Sequence, residues 1–136
     1  MKKKNVTKCV ILSIVTLGIY TLFWGTDLIF ETDKLNKKNE SLFWRIIYSI
    51  ITGGIYLVYW AWKTGKAINK TSKKTNDDSL VYAILMSLVL ITDYSFVLPI
   101  FKNVSLTVGI PFIFLLILMG SIQMDINKLI DLKKLK

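Results

Sequence analysis

The chain predicts an all-α fold: a polytopic transmembrane helical bundle of about four spans, with an internal sequence repeat in its first half. Three observations carry this reading. A twelve-residue phrase occurs twice, at Ser13 to Trp24 (SIVTLGIYTLFW) and at Ser49 to Trp60 (SIITGGIYLVYW), with Ser13/Ser49, Ile14/Ile50, Thr16/Thr52, Gly18/Gly54, Ile19/Ile55, Tyr20/Tyr56 and Trp24/Trp60 identical. The 136 residues are 53% hydrophobic and 12% aromatic, with a mean hydropathy of +0.50, which is more apolar surface than a water-soluble core of that size needs. The lysines cluster at Lys2 to Lys8, Lys34 to Arg45, Lys63 to Lys74 and Lys128 to Lys136, and charge nearly vanishes between the clusters. One integral membrane domain, 1–136, follows, with repeat 1 at about 9–38, repeat 2 at about 45–74 and a C-terminal helical pair at about 79–129.

The apolar stretches run in order from Cys9 to Thr26, Ile46 to Trp62, Leu80 to about Phe101 and Val104 to Met124. Each lies near the roughly 17 to 25 residues that a spanning helix requires. None alternates polar and apolar residues as barrel strands do, and in hydrocarbon a helix satisfies its own backbone. The first stretch follows a lysine-rich start and resembles a secretory signal. Phe23 and Trp24 stand where a cleavage site would lie, and the phrase recurs internally, so a retained anchor is expected. The third helix is expected to be capped by Asp78 or Ser79 and to end near Ile91 to Tyr94. Gly109 and Pro111 predict a kink or a late start in the fourth. Leu35-Asn36-Lys37, Ile68-Asn69-Lys70 and Ile126-Asn127-Lys128 read as helix stops at the interface, with Asn in a left-handed C-cap and Lys complementing the helix dipole.

Charge predicts a topology. With both termini cytoplasmic, the inner segments hold thirteen Lys/Arg, against Lys34, Lys37, Lys38, Arg45 and Lys102 outside, as the positive-inside rule requires. Trp24 and Trp44 would then ring the outer interface, Trp60 and Trp62 the inner one. In this geometry the two copies are antiparallel continuous spans, an inverted repeat. In the rival geometry each Thr-x-Gly-Ile-Tyr is a re-entrant bend and both lysine-rich loops are cytoplasmic; Gly53-Gly54 suits such a bend. The net charge of +9 fits anionic lipid headgroups, which attract each juxtamembrane Lys or Arg by about 1 kcal/mol, better than it fits nucleic acid.

On continuous helices Ser13, Thr16, Tyr20, Trp24 and Asp27 share one face, as do Ser49, Thr52, Tyr56, Trp60 and Lys63. These stripes, with Gly18 and Gly54 allowing close backbone approach, read as a helix-packing seam or as a polar groove touching a solute or ion. Asp27 and Lys63 are equivalent in the repeat; antiparallel spans forbid their pairing and re-entrant bends permit it. Asp93 is an intramembrane acid candidate, or else part of an interfacial turn. Cys9 reads as a small hydrophobe, with acylation the alternative.

There is no His, hence no Ser-His or Cys-His pair and no HExxH zinc site. No carboxylates face each other across an apolar pocket, and Gly-rich phosphate loops are absent. No enzyme activity, catalytic residue, metal site or cofactor is expected.

The two copies of the phrase, the segment Tyr59-Trp60-Ala61-Trp62-Lys63-Thr64-Gly65-Lys66-Ala67-Ile68-Asn69 and the closing Gln123-Met124-Asp125-Ile126-Asn127-Lys128-Leu129 resemble the bacterial membrane-protein family catalogued as domain of unknown function four-two-three-four. The middle, Leu80 to Phe112, is similar in hydrophobicity only, and Gly25-Thr26-Asp27 departs from the basic ending the pattern has there. The resemblance implies a small polytopic bacterial membrane protein and lends no activity. The role expected is a non-enzymatic scaffold or accessory subunit of the plasma membrane that packs against itself or another membrane protein; the alternative is a small solute or ion conduit acting as an oligomer.

Overall fold

The computed structural model describes residues 3–36, 41–72, 77–94 and 104–134. The described residues form six helices and no strand: α1 (Val6–Val15), α2 (Ile19–Asn36), α3 (Leu42–Ile51), α4 (Ile55–Ser72), α5 (Ser79–Tyr94) and α6 (Val104–Lys134). The all-α class is as expected. The first two apolar stretches, however, are each divided: three-residue turns at 16–18 and 52–54 replace the continuous helices predicted there. Among the described residues one segment, Gly109–Leu132, is long and apolar enough to cross a membrane, while Val6–Val15, Leu42–Ile51 and Ser79–Thr92 are apolar but shorter.

The helices start and stop for local reasons. Asn5 caps α1, its side-chain oxygen accepting from the Lys8 amide at 3.3 Å. Asp78 stands at the N-cap of α5, as expected, its carbonyl accepting from the Tyr82 amide at 3.1 Å, and Asp77 supports the start: its Oδ1 accepts from the Ser79 amide at 3.0 Å and from Asn69 Nδ2 at 2.6 Å. Hydrogen bonds from Ser79, aided by that from Asn69, keep its carboxyl below the usual carboxylate range. α5 is described as far as Tyr94; the residues that follow, against which its expected end would be judged, lie outside the described residues. α6 takes up the fourth stretch from Val104 and contains Pro111 without a break. The left-handed Asn stops are not found at Asn69 and Asn127, which lie inside α4 and α6; Leu17 is the one non-glycine residue with positive φ among those described.

Side-chain links define two ends. At one, Lys3 pairs with Asp131 at 2.8 Å, the Lys4 amide donates to Asn127 Oδ1 at 3.1 Å, Lys4 Nζ pairs with Asp27, and Arg45 pairs with Asp33. This polar, basic end therefore gathers the starts of α1, α3 and α5 and the later parts of α2, α4 and α6. At the other end lie the turns, Gly18 against Phe112 and Gly54 against Leu90. Each repeat is thus a helical hairpin, α1–α2 and α3–α4, entering and leaving at the basic end. Among the described residues, α5 and α6 run on past the hairpin tips.

The core lies between α2, α4, α5 and α6, around Trp24, Leu28, Ile68, Leu118, Ile122 and Ile126. The closest approach is α4 to α5 at Gly65, where an added Cβ would stand 2.4 Å from Ser79 Cα. That obstacle is backbone, so it cannot swing aside. Gly65→Ala is expected to lower stability by about 1 to 3 kcal/mol, whereas Gly120→Ala, whose Cβ would meet Val6 Cγ1 at 3.5 Å, should leave it nearly unchanged. Unfolding midpoints of the two variants in matched detergent check this difference.

Candidate functional site

The repeated phrase builds the same turn twice. In the first copy the Gly18 amide donates to Ser13 O at 2.8 Å and the Leu17 amide to Ile14 O at 3.1 Å; in the second, Gly54 donates to Ser49 O at 2.7 Å and Gly53 to Ile50 O at 3.2 Å. These are the paired 6→1 and 5→2 bonds of a Schellman stop, which requires left-handed backbone. Leu17 and Gly18 have φ of 50° and 91°, Gly53 and Gly54 of 57° and 87°.

The threonine serves both helices of its hairpin. Thr16 Oγ1 donates to Leu12 O at 2.7 Å and accepts from the Tyr20 amide at 2.9 Å; Thr52 Oγ1 donates to Tyr48 O at 2.6 Å and accepts from the Tyr56 amide at 3.1 Å. One hydroxyl thereby ties down the end of one helix and satisfies an orphan amide at the start of the next. The serines bond back within their helix, Ser13 Oγ to Cys9 O and Ser49 Oγ to Arg45 O. The stripes expected on continuous helices do not exist: Ser13, Thr16, Ser49 and Thr52 sit on the entering limbs or their turns, Tyr20, Trp24, Tyr56 and Trp60 on the returning ones.

Beyond the turn the copies diverge. Trp24 has no exposed surface, and its Nε1 donates to Gln123 Oε1 at 3.2 Å. It packs in the core, not in an outer interfacial ring. Trp60 is half-buried, and its Nε1 has no hydrogen-bond partner among the described residues. Tyr20 OH meets the buried Cys9 Sγ at 3.6 Å, while the position equivalent to Cys9 is Arg45, bound to Asp33 at 2.5 Å with both side chains about nine-tenths buried. Asp27 and Lys63 are not paired with each other: Asp27 binds Lys4, and Lys63 lies 5.6 Å from the Tyr59 ring centroid. Asp93 is in the last turn of α5; its side chain lies outside the described residues.

A polar seam that the apolar pattern concealed runs along α6. Gln123 Nε2 donates to Asn127 Oδ1 at 3.2 Å, Asn127 Nδ2 donates to Lys4 O at 2.6 Å, and Tyr82 OH donates to Asp125 Oδ2 at 2.5 Å. The signal available in the sequence was the spacing of Gln123, Asn127 and Asp131, one helical turn apart on one face. The described members of this seam bond within the chain and join α6 to the segment before α1, to α2 and to α5. No group of three or more metal-ligating side chains occurs among the described residues.

The outside is apolar instead. Leu17 is 94% exposed at the first tip, and Val15, Ile19, Leu22 and Phe23 are exposed around it; Ile50, Ile51 and Ile55 stand out at the second tip. Near the basic end aromatic rings carry the cations, with Lys66 Nζ 3.8 Å from the Trp62 ring centroid. Fold and site together define a class: a small helical-hairpin protein, apolar outside, clamped by polar groups at one end.

The chain belongs to the family described as domain of unknown function 4234 (DUF4234), whose sequence profile matches residues 4–70 and again 40–123. The two matches begin 36 residues apart, the offset that separates Ser13 from Ser49. No curated protein and no solved structure matches the chain.

Two substitutions test the site. Thr16→Val keeps the shape but removes the shared hydroxyl, and the loss of its bonds to the Leu12 carbonyl and the Tyr20 amide predicts destabilisation of about 1 kcal/mol, with faster exchange of the Tyr20 amide as the local readout. Arg45→Met strands the buried Asp33 carboxylate and is expected to cost about 3 to 5 kcal/mol. Chemical unfolding of that variant beside the double variant Arg45→Met/Asp33→Leu should show the double variant recovering much of the loss.

Proposed function

We propose that the chain is a small, non-enzymatic scaffold or accessory subunit embedded in a bacterial plasma membrane, with both hairpins entering from the cytoplasmic side. The observation that carries this reading is the exposed apolar surface at the hairpin tips, Leu17 at 94% and Ile51 at 74%, at the end opposite the paired lysines. Water would oppose such a surface by roughly 25 cal/mol for each Å² left exposed; lipid tails would solvate it. The single helix segment long enough to span, Gly109–Leu132, and the anionic-lipid affinity of a +9 chain point the same way.

The hairpin geometry favours the re-entrant topology over antiparallel spans, because it returns the described basic residues Lys34, Arg45, Lys63, Lys66 and Lys70 to the end that holds Lys3 and Lys4. A scaffold role is supported by a polar seam whose described members bond within the chain, which leaves lipid or another membrane protein as the partner of the outer faces. A homo-oligomer is one form this could take. A conduit would need Tyr20, Tyr56 or Asp93 to meet water; the contact between Tyr20 OH and Cys9 Sγ gives it no support.

Single cysteines in a Cys9→Ser background test the topology. Ser41→Cys and Thr71→Cys should both react with a membrane-impermeant maleimide from the cytoplasmic face, in inverted vesicles but not in intact cells, while Leu17→Cys should react from neither. Labelling of Ser41→Cys in intact cells would restore antiparallel spans. Release of the protein by an alkaline carbonate wash would remove the membrane reading altogether.

A further inference from the structure

We infer that the outer face of α4 is a docking surface for an anionic phospholipid, with the lipid phosphate on Lys63, Lys66 and Lys70 and an acyl chain along Ile55 and Tyr59. This rests on the membrane-embedded reading above. The five positions are spaced four, four, three and four residues apart along α4, which places them on one face of the helix. That face is apolar toward the hairpin tip, where Ile55 and Tyr59 are exposed, and cationic toward the basic end.

The three lysines lack the partners that other cations have. Lys3, Lys4, Lys34 and Lys128 are matched by Asp131, Asp27, Glu31 and Asp125, whereas Lys63, Lys66 and Lys70 form no ion pair among the described residues. Asp77 feels the charge of Lys66, but its Oδ1 accepts from the Ser79 amide and from Asn69 Nδ2. What Lys63 and Lys66 meet instead is rings, with Lys66 Nζ 3.8 Å from the Trp62 centroid and Lys63 Nζ 5.6 Å from that of Tyr59. An aromatic face attracts an ammonium without neutralising it, so the charge stays available to an anion. The first repeat has no such face. Counted back by the 36-residue offset, Asp27 stands for Lys63 and Phe30 for Lys66.

The level along the helix suits a headgroup. Gly65 packs against Ser79, the first residue of α5, so Lys63 and Lys66 flank the height at which the apolar segment Ser79–Thr92 begins. In a membrane that height is the border of the hydrocarbon, where tryptophan rings and lysines face lipid phosphates. The occupant is lipid because the order along the face, hydrocarbon and then cations, is the order within one phospholipid. A soluble phosphate or an acidic peptide would match the lysines and leave Ile55 uncovered.

The test uses the full chain in mild detergent, offered phosphatidylglycerol and phosphatidylcholine at equal concentration and read by native mass spectrometry. The unsubstituted chain should retain phosphatidylglycerol with a severalfold preference. Lys63→Gln/Lys66→Gln/Lys70→Gln should abolish that preference, and Lys63→Arg/Lys66→Arg/Lys70→Arg should keep it. Lys133→Gln/Lys134→Gln/Lys136→Gln, which removes the same charge from the C-terminal end, should keep it too. Equal loss in both glutamine variants would reduce the effect to net charge and overturn the α4 surface, as would an unsubstituted chain without preference. Displacement of the bound lipid by millimolar glycerol phosphate would overturn the lipid assignment in favour of a soluble phosphate. Flotation with vesicles through an alkaline carbonate gradient separates the two failures: protein that floats but shows no preference loses this surface alone, and protein left behind loses the membrane reading as well.

Discussion

The chain reversal at Thr-x-Gly is the constraint on which the rest of the structure depends. A helix end leaves four carbonyls without partners, and a helix start leaves four amides. In an apolar setting such groups are costly to leave unmet. Here two helix ends and two helix starts are compressed into a pair of three-residue turns, and the deficit is met locally by Schellman bonds from Gly18 and Gly54 and by a hydroxyl used twice, on Thr16 and on Thr52. Because the turn satisfies itself, no neighbouring element has to reach it. It is therefore free to occupy the apolar end of the molecule, where Gly18 lies against Phe112 and Gly54 against Leu90.

Reversal also decides where the charges go. Two hairpins returning to their starting side bring Asp27 to the level of Lys4 and Trp24 to that of Gln123, and polar groups that would be stranded on separate faces of a spanning bundle become partners. The Arg45–Asp33 pair then fixes hairpin to hairpin, and the Trp24–Gln123 bond fixes the first hairpin to α6. Buried ion pairs contribute little net stability, but they penalise arrangements in which one partner is left alone. Their role here is to select one assembly of helices whose apolar faces would tolerate several.

Much of this was legible in the residues and some was not. The start of α5 and the equivalence of the two repeats follow from capping and internal identity, whereas Gly109 and Pro111, which predict a kink or a late start, lie inside a helix that already runs from Val104. Membership of the family follows from the phrase itself. The turn was half-visible: Gly53-Gly54 suggests a left-handed pair, but Leu17 stands where a glycine would be expected, and an L side chain with positive φ costs about 1 to 2 kcal/mol. Leu17 bears that cost because its side chain projects from the tip, and Gly18 beside it carries the larger angle. Asn69 and Asn127 misled for a related reason. Their type fits a helix stop, yet each found a distant partner, Asp77 and the Lys4 backbone, and the helix continued through them.

By itself the sequence determined that the chain is helical, that its outside is oily between basic clusters, and that one unit of it was written twice, because these properties depend on composition and on neighbours within a helical turn. Tertiary structure alone decided that each unit doubles back instead of running on, which of the two equivalent tryptophans finds a hydrogen-bond partner, and that Arg45 meets Asp33 while Cys9 meets Tyr20. Those outcomes depend on which groups, far apart along the chain, can be buried together, and the energy of burying a polar group is set by its partner and not by its own identity.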